Sequence, residues 1–404
     1  MTPIQLPPFW ETLIKRYLKK TFYQGTRKED FALREAFTEG DHRFFSKGVA
    51  ELNLAFTSER AFLPAHYFNQ KQFRSGYIFY FLPINAAKVA ALLDQTDFPL
   101  PTPLKVLDVG SGPGTGMLGT FHRIEEWIQK RQFKQFSIEW TLWDQSRQTL
   151  DDAVALHDTI LETLQKKYPT CQLTSKIRVR AVDLKQGVRR LLDSLEPQDL
   201  VLCLNLLSEL PREKRTDLVN TLLERALKPS GRMLIMEPAL RGTTRDLMEL
   251  HDELLERESA VVYAPCLHQK ACPMLQVNQR DWCHVYIPWV RPVWIEKIDR
   301  FVAIQKSYLI CSYLFLGKDL VSQKKQTMPL WRVVSGPLNS KGKSERLLCG
   351  DNNNPEIFRI VRLDRDSSQQ NQGFDRLERG DLVSLPKNPR IFKDTKITPA
   401  REPL

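Results

Sequence analysis

Two sets of residues in this 404-residue chain have the types and spacing to do chemistry. The first is Asp108-Val109-Gly110-Ser111-Gly112-Pro113-Gly114-Thr115-Gly116. Glycines at that density let a backbone turn sharply and come close to a ligand. The second is a group of three cysteines, Cys266, Cys272 and Cys283, with Cys349 further on. Thiolates gathered from loops are metal ligands when disulfides are not expected.

The elements that must position the first set can be read around it. Val106-Leu107 before the acid is the end of a short buried strand. Met117, Leu118, Phe121, Ile124 and Trp127 follow at near-helical spacing, so a helix N-terminus points into the loop. Strand, glycine loop and helix in that order form the start of a nucleotide-type cofactor site. Further strands end in acids or polar residues: Ser137 to Asp144, Ile177 to Asp183, Asp199 to Asn205 and Arg232 to Glu237. Helical stretches at 117–133, 145–168, 185–195 and 212–228 separate them. Alternating βα units predict a parallel sheet with ligands at the strand C-termini.

This pattern resembles class I S-adenosylmethionine-dependent methyltransferases. The resemblance implies that Asp108, Gly110, Gly112 and Gly114 hold the methionine part, that Asp144 takes the ribose hydroxyls, and that Asp183 faces the adenine amino group. A dinucleotide dehydrogenase also wants an acid after its second strand, but the glycine run ending the first strand and the third acid favour the methyl donor. After the fourth strand comes Asn205-Leu206-Leu207-Ser208-Glu209. The Asn/Asp-Pro-Pro-aromatic run by which many amino-group methylases grip a planar amine is absent. Asn205 and Glu209 either line the cleft mouth or cap the next helix, and no catalytic residue is readable.

Of the seven cysteines, Cys171, Cys203 and Cys311 stand singly among apolar residues and read as small buried hydrophobes. Around the other four, zinc would call for thiolates two to four residues apart. Here five residues separate Cys266 from Cys272, and ten separate Cys272 from Cys283. Wide spacing, a Cys-Pro and a distant fourth thiolate suit an iron–sulfur cluster better. His268 or His284 could replace a thiolate in the zinc alternative.

Length allows two or three domains and a full core. No run of 18 apolar residues exists, so no transmembrane helix is expected. The start lacks a signal peptide or organelle presequence pattern, and a cytoplasmic, bacterial protein is the default. The formal net charge of +11 is unevenly spread. Residues 1–100 hold 13 basic and 10 acidic side chains, 101–260 hold 23 and 24, and 261–404 hold 23 and 14. A basic C-terminal part beside a neutral cofactor part suits a phosphate-rich partner.

Taken together, Cys266-x-His268-x-x-x-Cys272-Pro273, Trp282-Cys283-His284, Lys306-Ser307-Tyr308-Leu309-Ile310, Trp331-Arg332-Val333-Val334-x-x-Pro337 and Leu348-Cys349-Gly350 follow a methyltransferase core. In this order they resemble the methyltransferase-like assembly factors of the mitochondrial small ribosomal subunit and their bacterial relatives, over roughly 75–385. The resemblance implies a four-iron four-sulfur (4Fe-4S) cluster on Cys266, Cys272, Cys283 and Cys349. It also implies an S-adenosylmethionine pocket on the Asp108 loop and small-subunit ribosomal RNA as partner, the free protein being a monomer.

The expected fold is thus α/β. A Rossmann-like class I methyltransferase core at 101–325, with a cysteine-rich insertion at 259–300, follows an N-terminal helical region at 1–100. A basic, OB-like β module at 326–390 and a flexible tail at 391–404 complete the chain. In the module, Leu330–Val334, Glu345–Cys349, Ile357–Leu363 and Asp381–Leu385 are the expected strands. Lys341, Lys343, Arg346, Arg359, Arg362 and Arg365 are read as phosphate-seeking. On the N-terminal helix, Lys15, Arg16, Lys19 and Lys20 read as a solvated polar face.

Overall fold

The computed structural model describes residues 3–22, 37–57, 67–96, 98, 101–131, 133–303, 306–319, 329–350 and 354–400. In chain order the N-terminal part holds β1 (Ile4–Gln5), α1 (Pro8–Phe22), α2 (Glu39–Thr57) and α3 (Lys71–Gln95). The next units are β2 (Leu104–Val109), α4 (Thr115–Arg131), β3 (Gln135–Asp144), α5 (Arg147–Lys167) and β4 (Gln172–Ala181). After them come β5 (Gln198–Leu204), α6 (Arg212–Arg225), β6 (Leu227–Glu237) and α7 (Arg241–Glu256). The chain then forms β7 (Val261–Ala264), β8 (Val285–Val290), α8 (Val293–Val302) and β9 (Tyr308–Gly317).

Nine strands make the main sheet in the order β1-β8-β9-β6-β5-β2-β3-β4, with β7 also on β9. Strands β2 to β6 run parallel, and β9 runs antiparallel to β6. This is the Rossmann-like class I methyltransferase architecture. Side chains alternate across the central strands. Leu104 and Val106 of β2 join Leu200, Leu202 and Leu204 of β5 under the N-terminal helices, α4 and α5. Leu107, Val109, Val201 and Cys203 join the opposite core under α6 and α7. Strands buried on both faces are why these segments read as apolar runs.

Helix α3 is long and apolar enough to cross a membrane by length and composition, and 94% of its apolar window is buried inside the fold. A π-helical turn at Tyr77–Phe81 leads into Pro83 in the first turn of the following segment, where its missing N–H is tolerated, so the helix runs on. On α1, Lys15 and Lys19 are not solvated: both are buried, with Lys15 paired to Glu11 and Lys19 3.5 Å from Asp41. Two further strands, β7 and β8, bracket the cysteine segment and both pair with β9. The expected insertion therefore contributes to the sheet.

The C-terminal module follows as β10 (Leu330–Val333), β11 (Leu338–Ser340), β12 (Lys343–Gly350), β13 (Glu356–Leu363), β14 (Leu382–Ser384), β15 (Arg390–Ile391) and β16 (Thr398–Pro399). Its pairings run β15-β13-β12-β10-β14-β16, with β11 also on β12. The expected loose tail also differs: β15 pairs with β13 and β16 with β14, so the chain is held to Pro399, while 401–404 lie outside the described residues.

Arg346 and Arg362 are buried rather than phosphate-seeking. Their guanidinium carbons stand 5.2 and 5.4 Å from the ring centre of buried Phe374. Lys343 and Arg359 both pair with Glu345. Lys341 and Arg365 are the two of the six that are exposed with no ion pair among the described residues.

Candidate functional site

The glycine loop is built where β2 ends. The amides of Gly110 and Ser111 both donate to the carbonyl of Trp143, at 2.8 and 3.0 Å, so the loop hangs from the end of β3. Gly110 has φ +71°, and a Cβ there would meet Leu206 at 2.8 Å. Gly116 opens α4 directly over Asp108: its Cβ would lie 2.6 Å from the carboxylate Oδ2. Both positions accept only glycine without rearrangement.

Asp108 is fully buried, and neither carboxylate oxygen has a hydrogen-bond partner. Burial, with the charge of nearby Asp144, pushes its carboxyl up to about 8. Asp144, at the end of β3, is raised too by burial. Its Oδ2 accepts from the Gly112 amide at 2.9 Å, and its Oδ1 from the Ser146 amide at 2.8 Å and from Thr149 Oγ1 at 3.2 Å. Asp183 is exposed and caps the turn at Leu184–Gln186 by accepting from the Lys185 amide at 2.9 Å.

Asp108, Gly110, Gly112, Asp144, Asp183, Asn205 and Glu209 line one cleft of about 250 Å³ at the C-terminal edge of the parallel strands. Gly114 lies outside this lining, turned toward Met117 and Ala153. Asn205 takes φ 53° at the end of β5 and donates its amide to the Met236 carbonyl at 2.7 Å. The opposite wall comes from the N-terminal helices: Phe56, Tyr67, Phe68, Tyr77 and Phe81 form a chain of ring contacts over the cleft. Lys88 of α3 and Lys306, ahead of β9, line it as well. Lys88 is marked by no motif; Lys306 opens the Lys306-Ser307-Tyr308-Leu309-Ile310 run, and the antiparallel course of β9 brings it here.

Cys266, Cys272 and Cys283 line a second, small apolar pocket beside α7. Cys272 is buried, and Cys266, Cys283 and Cys349 are partly buried. Burial pushes all four thiols up, Cys272 to about 12; other thiols of the group raise Cys266, Cys272 and Cys349 further, while Arg332 and Arg379 draw Cys283 down. Cys349 arrives on β12, directly opposite Arg332 of β10. Buried Arg332 donates to the carbonyl of Pro265 at 3.1 Å, next to Cys266. The Cys272 amide donates to Asp252 at 2.8 Å. His268 and His284 are both buried, and burial lowers each to about 4. Among the described residues, no three His, Cys, Asp or Glu side chains are placed to hold a single metal ion.

Residues 74–366 match the family described as mitochondrial small ribosomal subunit Rsm22. A search of curated proteins finds no match. Among solved structures, a TehB-like SAM-dependent methyltransferase from Corynebacterium glutamicum is 17% identical, covering 57% of this chain and 87% of its own, at a TM-score of 0.26. Magnesium protoporphyrin IX methyltransferase from Synechocystis is 15% identical over 63% and 94% of the two chains, at 0.34. A class I methyltransferase from Listeria monocytogenes is 10% identical over 80% and 91%, at 0.34. The fold rests on the strand order, not on these likenesses.

Proposed function

The chain belongs to the mitochondrial small ribosomal subunit Rsm22 family, and from that premise we propose that it binds S-adenosylmethionine and acts on the small ribosomal subunit, with ribosomal RNA as its partner. The observation that carries the reading is the cleft itself. A glycine loop, a buried acid with two unpartnered oxygens and two further strand-end acids share one wall, and an aromatic lid forms the other. Asp108, Gly110, Gly112 and Gly114 would hold the methionine part, Asp144 the ribose and Asp183 the adenine amino group, with Asn205 at the mouth. When bound, that cofactor supplies an electrophilic methyl group. Asp144 then has two tasks, since its carboxylate already ties the loop to β3 through Gly112.

Cys266, Cys272, Cys283 and Cys349 would hold a 4Fe-4S cluster. Buried thiols stay protonated unless a cation compensates the charge, and burial raises all four, with neighbouring thiols raising Cys266, Cys272 and Cys349 as well. What supports the site is the grouping itself: Cys266, Cys272 and Cys283 line one small pocket, and Cys349 packs with Cys272 and Cys283 in one apolar cluster.

A second reading, an assembly factor that docks without transferring a methyl group, is favoured by the turn after β5. Asn205-Leu206-Leu207 offers no proline or aromatic residue to grip a planar amine. Calorimetry with S-adenosylhomocysteine tests the pocket, and no heat of binding would refute it. Tritiated methyl transfer to stripped small subunits separates the two readings.

A further inference from the structure

The β9 side of the cleft carries two ammonium groups. Strand β9 runs antiparallel to β6, with Ser312 opposite Glu237, so its N-terminal end lies where the parallel strands finish. Lys306, two residues before β9, is thereby carried over the cleft, and Lys88 reaches it from α3. Lys88 Nζ donates to Asn85 Oδ1 at 3.1 Å, and Lys306 Nζ stands 5.9 Å from the centre of the Tyr80 ring. Among the described residues neither ammonium has a carboxylate at ion-pair distance. Asp299, which Lys306 feels, is occupied by the Tyr80 hydroxyl and by Arg291 at 3.1 Å.

Burial lowers both lysines, Lys88 to about 8, and Lys306 lowers Lys88 further. Two half-buried cations that feel each other's charge are costly unless an anion completes them. The acids of the cleft are carried elsewhere: Asp108 and Asp144 at the ends of β2 and β3, Asp183 on the turn after β4, and Glu209 on the turn after β5.

We propose that Lys88 and Lys306 form a seat for an oxyanion, a phosphate or a carboxylate, borne by a molecule bound in the cleft. The proposal rests on the cofactor reading above only for one of its two sources. The anion is either the carboxylate of S-adenosylmethionine's amino-acid part or the phosphate of a substrate nucleotide.

The test uses the full chain and its Lys88→Gln and Lys306→Gln variants in calorimetry. The ligands are S-adenosylhomocysteine, 5′-methylthioadenosine (which lacks the amino-acid part) and uridine 5′-monophosphate, the last with and without saturating S-adenosylhomocysteine. If the carboxylate is seated, both variants lose about tenfold or more in affinity for S-adenosylhomocysteine and bind methylthioadenosine unchanged. If the phosphate is seated, S-adenosylhomocysteine binds unchanged and uridine 5′-monophosphate loses a similar factor. Either result supports the seat.

Variants that bind every ligand as the unaltered protein does would overturn it, as would an unaltered protein that binds no anion at all. Failure of the unaltered protein to bind both adenosyl compounds sinks the cofactor reading separately, while the nucleotide arm still judges the lysines. A ligand-free melting midpoint that rises in each variant is a further expected sign, since a half-buried cation without a carboxylate at ion-pair distance has been removed. A fall in both variants counts against the seat.

Discussion

Arg379 holds one guanidinium nitrogen 3.0 Å from each carboxylate oxygen of Asp281, across 98 residues of chain. The pair joins the C-terminal module to the cysteine segment. Its side chains are 13% and 21% exposed, so water screens it little. The Arg379 carbonyl also accepts from the Tyr286 amide at 2.8 Å, and Gly380 packs so close that a Cβ would meet Val285 at 2.7 Å. The module is thus docked by protein contacts as well as by the Cys349 approach. Arg379→Ala leaves Asp281 half-buried without its partner, which costs on the order of 2 kcal/mol. Limited trypsin digestion should then release a C-terminal fragment faster than from the unaltered protein, and an unchanged digestion rate would count against this docking role.

Cysteine substitutions separate the cluster from those contacts. Cys272→Ser or Cys349→Ser should abolish the broad absorbance near ~400 nm expected of a thiolate-bound iron–sulfur centre. They should also lower the iron content of anaerobically purified protein. Because a metal centre joining distant segments closes a long loop, Cys272→Ser should loosen the module and remove RNA binding. Cys171→Ala, outside the group, should keep both colour and iron. Full colour in the Cys349 variant would exclude that residue as a ligand.

Asp108 ties stability to pH with a definite sign. Its folded-state carboxyl is raised to about 8 from the ordinary carboxylate range near 4, so the folded chain holds a proton that the unfolded chain sheds. Stability from this group is full below the unfolded value and declines as pH rises toward 8, by at most about 1.4 kcal/mol per pH unit. Asp108→Asn keeps the buried shape without the titration. Denaturant midpoints between pH 5.5 and 9 should fall less steeply in the variant, and parallel curves would refute the assignment.

What the sequence makes legible follows from where each constraint lies. The βα units are readable because β2 and β5 are buried on both faces and the loop demands glycine locally, as at Gly110. Strand β8 escapes notice because Pro288 interrupts a short run, a residue tolerated here near the sheet edge, where two-residue β1 is its outer neighbour. Arg346 and Arg362 mislead for another reason. On a strand, an arginine facing RNA and one facing inward occupy equivalent alternating positions, and only the arrival of Phe374 from a later turn decides between them. Lys306 needs the direction of β9, which no local pattern encodes. The convergence of Cys349 with the other three thiols depends on the docking of a whole module.

Gly116 offers the sharpest separation of site from stability. The backbone of α4 passes over the Asp108 carboxylate there, and an added methyl would lie 2.6 Å from both Oδ2 and Leu202 Cδ1. Helical residues tolerate alanine better than glycine by up to about 1 kcal/mol, so Gly116→Ala sets a propensity gain against overpacking of about 1–3 kcal/mol. Net stability should fall modestly. Binding of S-adenosylhomocysteine should fall at least tenfold, because the acid beneath the loop and the loop itself must move together. Gly336→Ala, where a Cβ meets nothing within 4 Å, should change neither quantity. If Gly116→Ala binds the ligand like the unaltered protein, the close passage of helix over acid is not what shapes the pocket, and the Asp108 loop loses its claim to the methionine end of the cofactor.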